Sequence, residues 1–265
     1  MEEIRVDSWS ELQDELFADS WNEDLQRHRS NHAFRGRCDA ADDLATSLRR
    51  LGGDAAELER HLVRNFRKYA ARDAVPFDSP WNWLALGQHF GLPTRLLDWT
   101  FSPFVALHFA TAVVERFDRD GVVWMVDYIR THELAPRRFR TLLDEEGANV
   151  FTTEMLASVA ADVDELGERD DEFVLFLEPP SFDDRIVNQY ALFSLMSHPD
   201  QSLDEWLGEH EGLARRVVIP AELKWEVRDK LDQAGINERV LFPGLEGLTR
   251  WVARYYAPRP ARKTM

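Results

Sequence analysis

Seven side chains able to hydrogen-bond, carry charge or stack on a ring fall between residues 88 and 100: Gln88, His89, Thr94, Arg95, Asp98, Trp99 and Thr100. They belong to the passage "LALGQHFGLPTRLLDWTFSPFVALHFA", residues 84–110. Burying that many polar groups without partners is costly, and a ligand cleft relieves the cost, so the seven are expected to line one. The competing reading is a buried polar network, with Arg95 and Asp98 as an internal ion pair and Gln88 and His89 tying the Gly91 turn to the strand. In a cleft, His89 is the side chain suited to moving a proton near neutral pH. Together with Asp98 it also admits a metal-independent hydrolase or nuclease.

A second chemical signal is "FRGR", residues 34–37. Arg35 at the end of a strand can fork onto a phosphate or carboxylate in a way that Lys cannot. Gly36 lets the chain turn and lets a ligand approach the backbone. Against this stands a plain ion pair of Arg35 with Asp39 or Asp42. Several other chemistries fail on residue type. The eight His are scattered, with no helical HxxxH pair and a single Cys, Cys38, so no metal site is expected. There is no GxxxxGK[ST], no GxGxxG and no GxSxG.

The chain has 265 residues, 44% of them hydrophobic, with nine Trp and sixteen Phe, enough for a full core. A formal net charge of −16 argues against a general nucleic-acid binder, because phosphate contacts need a positive surface. Nucleic acid is left only the local basic patches, Arg60, Arg64, Arg67, Lys68 and Arg72 on a helix and Arg254, Arg259, Arg262 and Lys263 near the end. One Cys permits no internal disulfide. No apolar run reaches the roughly 20 residues that span a bilayer, and the amino end has no leader pattern, so a soluble cytoplasmic protein without membrane contact is expected.

The elements that must position these groups follow from caps and periodicity. Ser8 with Glu11 forms a capping box for a helix to about residue 18. "HAFRG" (32–36) reads as a strand, and helices are expected near 43–51 and 54–72 with Gly52-Gly53 between them. A helix over 80–90, a buried strand "TRLLDWT" (94–100) and a helix from Ser102-Pro103 through 117 make up the polar passage. Strands follow at 121–128, 172–180, 190–197 and 214–220, with an acidic, partly helical segment at 130–171. Helices near 202–209, 220–234 and 244–256 close the chain. With no repeats or Ser/Gly linker, one α+β domain over 1–258 and a basic tail at 259–265 are expected.

"FRGR", "QHFGLPTRLLDWTFSPFVALHFA", "RIVNQYALFSL" (185–195) and "LFPGLEGL" (241–248) closely resemble the FRG domain family, in that family's order, over roughly residues 30–250. A more distant resemblance is to ADP-ribosyltransferases of the Arg-Ser-Glu type. "AFRG" is similar to their first motif, and "LLDWTFSPFVALHFA" to their second, with Asp98-Trp99-Thr100 where that family has Ser-Thr-Ser. The acidic third motif has no clear counterpart; "NQYALFS" places Gln189 where a Glu is expected, and Glu178 is the other candidate. This second resemblance implies a mixed, mostly antiparallel sheet with an amino-terminal helical part and flanking carboxy-terminal helices. It also implies an enzyme that consumes NAD as substrate without a metal, for transfer to a macromolecular acceptor or for hydrolysis, in a bacterial toxin or phage-defence setting. The alternative is a non-catalytic domain that recognises a nucleotide or a protein partner. On the enzyme reading Arg35 and Arg95 serve the diphosphate, Trp99 or Phe104 stacks on a ring, and Gly36, Gln88, Thr94 and Thr100 contact the ligand. His89, Asp98 and Gln189 carry the chemistry.

Overall fold

The computed structural model describes residues 1–70, 74–167 and 171–259. The expected Arg72, and Arg262 and Lys263 of the tail, lie outside the described residues. Strands run in chain order as β1 (Glu2–Arg5), β2 (Trp21–Asn22), β3 (Arg27–His28), β4 (His32–Arg37) and β5 (Leu97–Thr100). They continue as β6 (Gly121–Asp127), β7 (Phe151–Thr152), β8 (Val174–Glu178), β9 (Ala191–Met196) and β10 (Ala214–Ile219). Helices are α1 (Trp9–Phe17), α2 (Ala55–Tyr69), α3 (Pro80–His89), α4 (Pro103–Ala110), α5 (Tyr128–Glu133) and α6 (Arg137–Glu146). The later ones are α7 (Thr153–Val159), α8 (Asp184–Asn188), α9 (Leu203–Glu209), α10 (Lys224–Gln233), α11 (Glu238–Leu241) and α12 (Leu245–Tyr256).

Eight strands form one mixed sheet in the order β1-β10-β6-β4-β5-β9-β8-β7. Only the outer pairs, β1 with β10 and β7 with β8, are parallel. Strand alternation sorts the core into two faces. On one face Ala33, Trp99, Trp124, Phe176 and Leu192 meet α9 through Trp206 and Leu207. The other face is covered by two separate helical groups. Over β8 and β9, Phe193 and Leu195 pack with α3, α6 and α7. Over β4, β6 and β10, Phe34, Met125 and Val217 pack with α1, α4 and α10.

Between these groups the sheet itself loosens. Strand β4 shares six registered pairs with β6, and β5 shares four with β9. Yet β4 and β5 share one pair, Phe34 with Thr100. Beyond it the Asp98 carbonyl accepts from the Arg35 guanidinium, a side-chain bond between the two strands.

Several elements differ from expectation for local reasons. No helix spans 43–51; Asp43 accepts from the Ala45 N–H at 3.1 Å and Thr46 from the Arg49 N–H at 3.2 Å, leaving a single 3-10 turn at Arg49–Leu51. Short polar side chains that bond nearby backbone compete with a helix. Strand β5 begins at Leu97 rather than Thr94, because the Thr94 and Arg95 N–H groups donate to the side chains of Ser47 and Glu59. The helix expected through 117 stops at Ala110, where the Thr111 hydroxyl donates to Leu107 O at 2.8 Å. Arg254 is no part of a loose tail: on α12 it is forked onto Asp232 and Glu238, with four bonds of 2.6–2.7 Å.

Candidate functional site

A cleft of about 620 Å³ lies over β5, in the gap between the two helical groups. The end of α3 supplies one wall with Gln88, His89, Phe90, Gly91 and Leu92. The opposite wall is Phe34 to Arg37 of β4 with Phe109 of α4, and α8 closes a third side with Arg185, Ile186 and Gln189. Asp98, Thr100 and Phe193 form the floor. Each element reaches its place through its own caps. Ser79 caps α3, Ser102 caps α4 and Asp183 caps α8, each accepting an N–H of the first turn.

The site is electrostatically two-sided. Asp98 is exposed, and its Oδ2 accepts from the Gln88 amide at 3.0 Å. Gln88 is in turn fixed by the Thr94 hydroxyl, which donates to its Oε1 at 2.6 Å. Three arginines line the same cleft: Arg35 donates to the Asp98 carbonyl, Arg37 pairs with Asp42 at 2.9 Å, and Arg185 Nη1 lies 3.5 Å from His89 O. The buried Nε of each has no hydrogen-bond partner among the described residues. Burial pushes the Arg35 guanidinium down to about 10, with Asp98 opposing, so it stays cationic at neutral pH. Arg185 lies over the Phe242 ring at 5.2 Å, which holds its position. On the α3 side, His89 Nε2 is 2.7 Å from Asp183 Oδ2.

Of the side chains selected from the sequence, Arg35, Gly36, Gln88, His89, Asp98, Trp99, Thr100 and Gln189 meet at this cleft, but not all with the expected role. Arg95 is a correction. It is 3% exposed, away from the cleft, and donates to Glu59 at 2.6 Å, so the buried ion pair exists but with a different acid than Asp98. Thr94 is fully buried and acts only through Gln88. Trp99 turns its ring to the far face of the sheet, where Nε1 donates to Ser194 Oγ at 2.8 Å and the ring meets Phe176 edge-on. It cannot stack on a ligand in the cleft, and Phe104 is packed against Trp9 and Phe17. The ring in position is Phe90, 68% exposed on the cleft wall.

Thr100 is 3% exposed and its hydroxyl donates to Gln189 O at 2.7 Å, so it braces α8 against β5 and is not free for a ribose. The Gln189 amide donates to Leu241 O at 2.8 Å. Glu178 ends β8 and is not among the cleft residues. Gly36 is needed by packing more than by a ligand: a Cβ there would stand 1.8 Å from Ala106 O, so α4 can lie on β4 only where there is none. The sequence reading missed Arg37, Phe90, Asp183 and Arg185. Arg37 closes "FRGR" and Arg185 opens "RIVNQYALFSL", so both lay inside quoted motifs; Asp183 carried only the signal of an Asp before a short helix.

Among the described residues, no three His, Cys, Asp or Glu side chains are grouped so as to hold a metal ion, and no helix is long and apolar enough to cross a membrane. The model of the FRG domain matches residues 30–119. That segment runs from β4 through α4 and holds the arginine strand and the whole polar passage, but ends before α8. No curated protein and no solved structure matches the chain.

Proposed function

We propose, on the premise that this chain carries an FRG domain, that its cleft binds a dinucleotide of the NAD type and breaks the nicotinamide–ribose bond. One observation carries the reading: three arginines, Arg35, Arg37 and Arg185, line the same cleft of about 620 Å³ as one exposed carboxylate, Asp98. Arginine forks match the oxygens of a diphosphate, and the volume falls in the range of small-molecule sites. Phe90 offers a face for a base or nicotinamide ring. Asp98, held by Gln88, leaves an oxygen for the cationic ribose that develops as the bond breaks. The bonding pair leaves with the nicotinamide nitrogen, and the oxocarbenium carbon is then taken by water or by a nucleophile on a macromolecule. NAD is consumed as a substrate, and no step calls for a metal.

The likeness to ADP-ribosyltransferases in fold is part of the same proposal. A mixed, mostly antiparallel sheet with its cleft at the seam between β4 and β5 supports it. The toxin or phage-defence setting rests on the sequence resemblance alone, and the cytoplasmic location on composition and hydropathy. A second reading, recognition of a nucleotide without turnover, is favoured by Gln189. Its amide is engaged with Leu241, and it is not a carboxylate.

The test is to incubate the full chain with NAD and follow both nicotinamide release and thermal stabilisation by NAD and ADP-ribose. Stabilisation with release is the expected result. Asp98→Asn should then abolish most release while keeping the stabilisation, and Phe90→Ala should weaken binding about tenfold, the loss of one ring contact (~1.4 kcal/mol). Stabilisation without release selects the recognition reading. No stabilisation and no release by the wild type overturns both.

A further inference from the structure

We infer that His89, oriented by Asp183, accepts the proton of a hydroxyl nucleophile, so that the second substrate of the cleft is an O–H compound: water or a hydroxyl on a macromolecule. The inference rests on the proposed cleavage of NAD and specifies what attacks the ribose. His89 is the last residue of α3, and Asp183 stands just before α8, 94 positions away in sequence. The pair is therefore made by the tertiary fold. Asp183 is fixed through both oxygens. Oδ1 caps α8, accepting from the N–H groups of Arg185 at 2.9 Å and Ile186 at 3.2 Å, while Oδ2 lies 2.7 Å from His89 Nε2.

Burial alone would raise the Asp183 carboxyl, but the bonds from His89 and the Ile186 backbone outweigh it and hold the group below the usual carboxylate range. An ionised carboxylate only accepts, so the proton between the two belongs to His89 Nε2. In the neutral ring the lone pair is then on Nδ1, which has no hydrogen-bond partner among the described residues. The ring is steadied edge-on by Phe90, with centroids 4.9 Å apart, and at a tilt by Phe182 at 6.5 Å.

The molecule contains a contrast that separates a working histidine from a structural one. His132 spends both ring nitrogens on the backbone, Nδ1 on Asn149 O at 3.0 Å and Nε2 on Phe176 N at 2.8 Å. Burial holds it near 4, neutral and inert. His89 has one nitrogen bound to an acid and one unengaged, and it lines the cleft. That is the arrangement of a base with its orienting group.

Proton balance selects the nucleophile. As the acceptor oxygen bonds to the ribose carbon, its proton passes to His89 Nδ1, Asp183 stabilises the imidazolium, and solvent later removes the proton. A carboxylate acceptor, with a pKa near ~4, brings no proton at neutral pH. A guanidinium acceptor would bring a second positive charge into a cleft already lined by Arg35, Arg37 and Arg185. A neutral hydroxyl brings a proton that must leave as the new bond forms, and His89 Nδ1 can take it.

The experiment uses the full chain with NAD, in water and with methanol added as a small alcohol, alongside His89→Gln and Asp183→Asn. The wild type should release nicotinamide, form both ADP-ribose and its methyl glycoside, and turn over more slowly in D2O. His89→Gln should lower kcat about 100-fold with KM within about twofold and abolish the solvent isotope effect. Asp183→Asn keeps a helix cap, so it should lower kcat at least tenfold with KM and melting temperature nearly unchanged; a purely structural pair would instead lose stability without a selective loss of kcat. Wild-type kcat in both variants overturns the inference while leaving NAD cleavage standing. So does transfer to agmatine in preference to methanol. A wild type that releases no nicotinamide overturns the cleavage reading itself, and this inference with it.

Discussion

Glu59→Gln is expected to destabilise the protein without touching its ligand chemistry. Glu59 on α2 is 1% exposed and Arg95 3%, and the acid holds the arginine twice, through Nε at 2.6 Å and the backbone N–H at 2.8 Å. The remaining bond, Arg95 Nη1 to Ser197 O, is long at 3.5 Å. The amide keeps one acceptor but removes the charge, leaving a guanidinium buried without its counter-ion. Removing one partner of a buried pair costs about 3–5 kcal/mol. In a chain of this size each kcal/mol moves the midpoint by about 2 °C, so Tm should fall by roughly 6–10 °C. Calorimetry and urea unfolding, with and without NAD, read both sides of the claim. Glu59→Leu combined with Arg95→Met should recover most of the loss, because no charge is then stranded. A drop of less than about 2 °C would refute the reasoning about burial. Loss of the NAD-induced stabilisation with Tm unchanged would return Arg95 to the ligand.

Two further outcomes follow from packing and titration. Gly36→Ala should fail to fold or lose at least about 3 kcal/mol by denaturant titration, since the new methyl meets the backbone of α4 rather than a movable side chain. Glu238 is pushed up by its burial, but the Arg254 bonds win and hold it at about 2 against an ordinary 4.5. The folded state therefore binds that proton more weakly than the unfolded chain. Its contribution, on the order of 3 kcal/mol, is complete above about pH 4.5 and is lost as the pH falls toward 2. Unfolding measured across that window should show Glu238→Gln less acid-dependent than the wild type.

What could be read from the sequence was whatever depends on neighbours. Ser8 does cap α1, accepting from the Glu11 N–H at 3.2 Å, although Glu11 accepts in return from the N–H of Asp7, one residue before the cap, at 2.7 Å. Ser102-Pro103 starts α4, and the four later strands fall within two residues of their expected limits, because alternation and turn residues are local signals. Arg35, His89 and Asp98 do line one cleft, as expected from their place at strand ends, but the cost of burial misled for Thr94, Arg95, Trp99 and Thr100, which are buried with partners inside the protein. Partner identity was not. Arg95 had a nearby acid in Asp98 and took Glu59, 36 residues back, because α2 crosses the start of β5. Trp99 sits between Asp98 and Thr100 in β5, so strand alternation turns it away from the face that those two share, a signal the sequence did carry. Asp183 could be known as the partner of His89 only once α3 and α8 had been brought together.

The single pair Phe34–Thr100 makes the centre of this sheet its weakest seam. In most sheets the middle strands bear the load and the edges yield. Here the β1-β10-β6-β4 plate and the β5-β9-β8-β7 plate are each well cross-linked, and the joint between them has one backbone pair and the bond from Arg35 to the Asp98 carbonyl. A molecule seated in the cleft, gripping Arg35 on one plate and the Asp98 carboxylate on the other, would add a further rivet. Its occupancy would then set how stiffly the two halves of the molecule move together, a mechanical property distributed far beyond the few side chains that touch it.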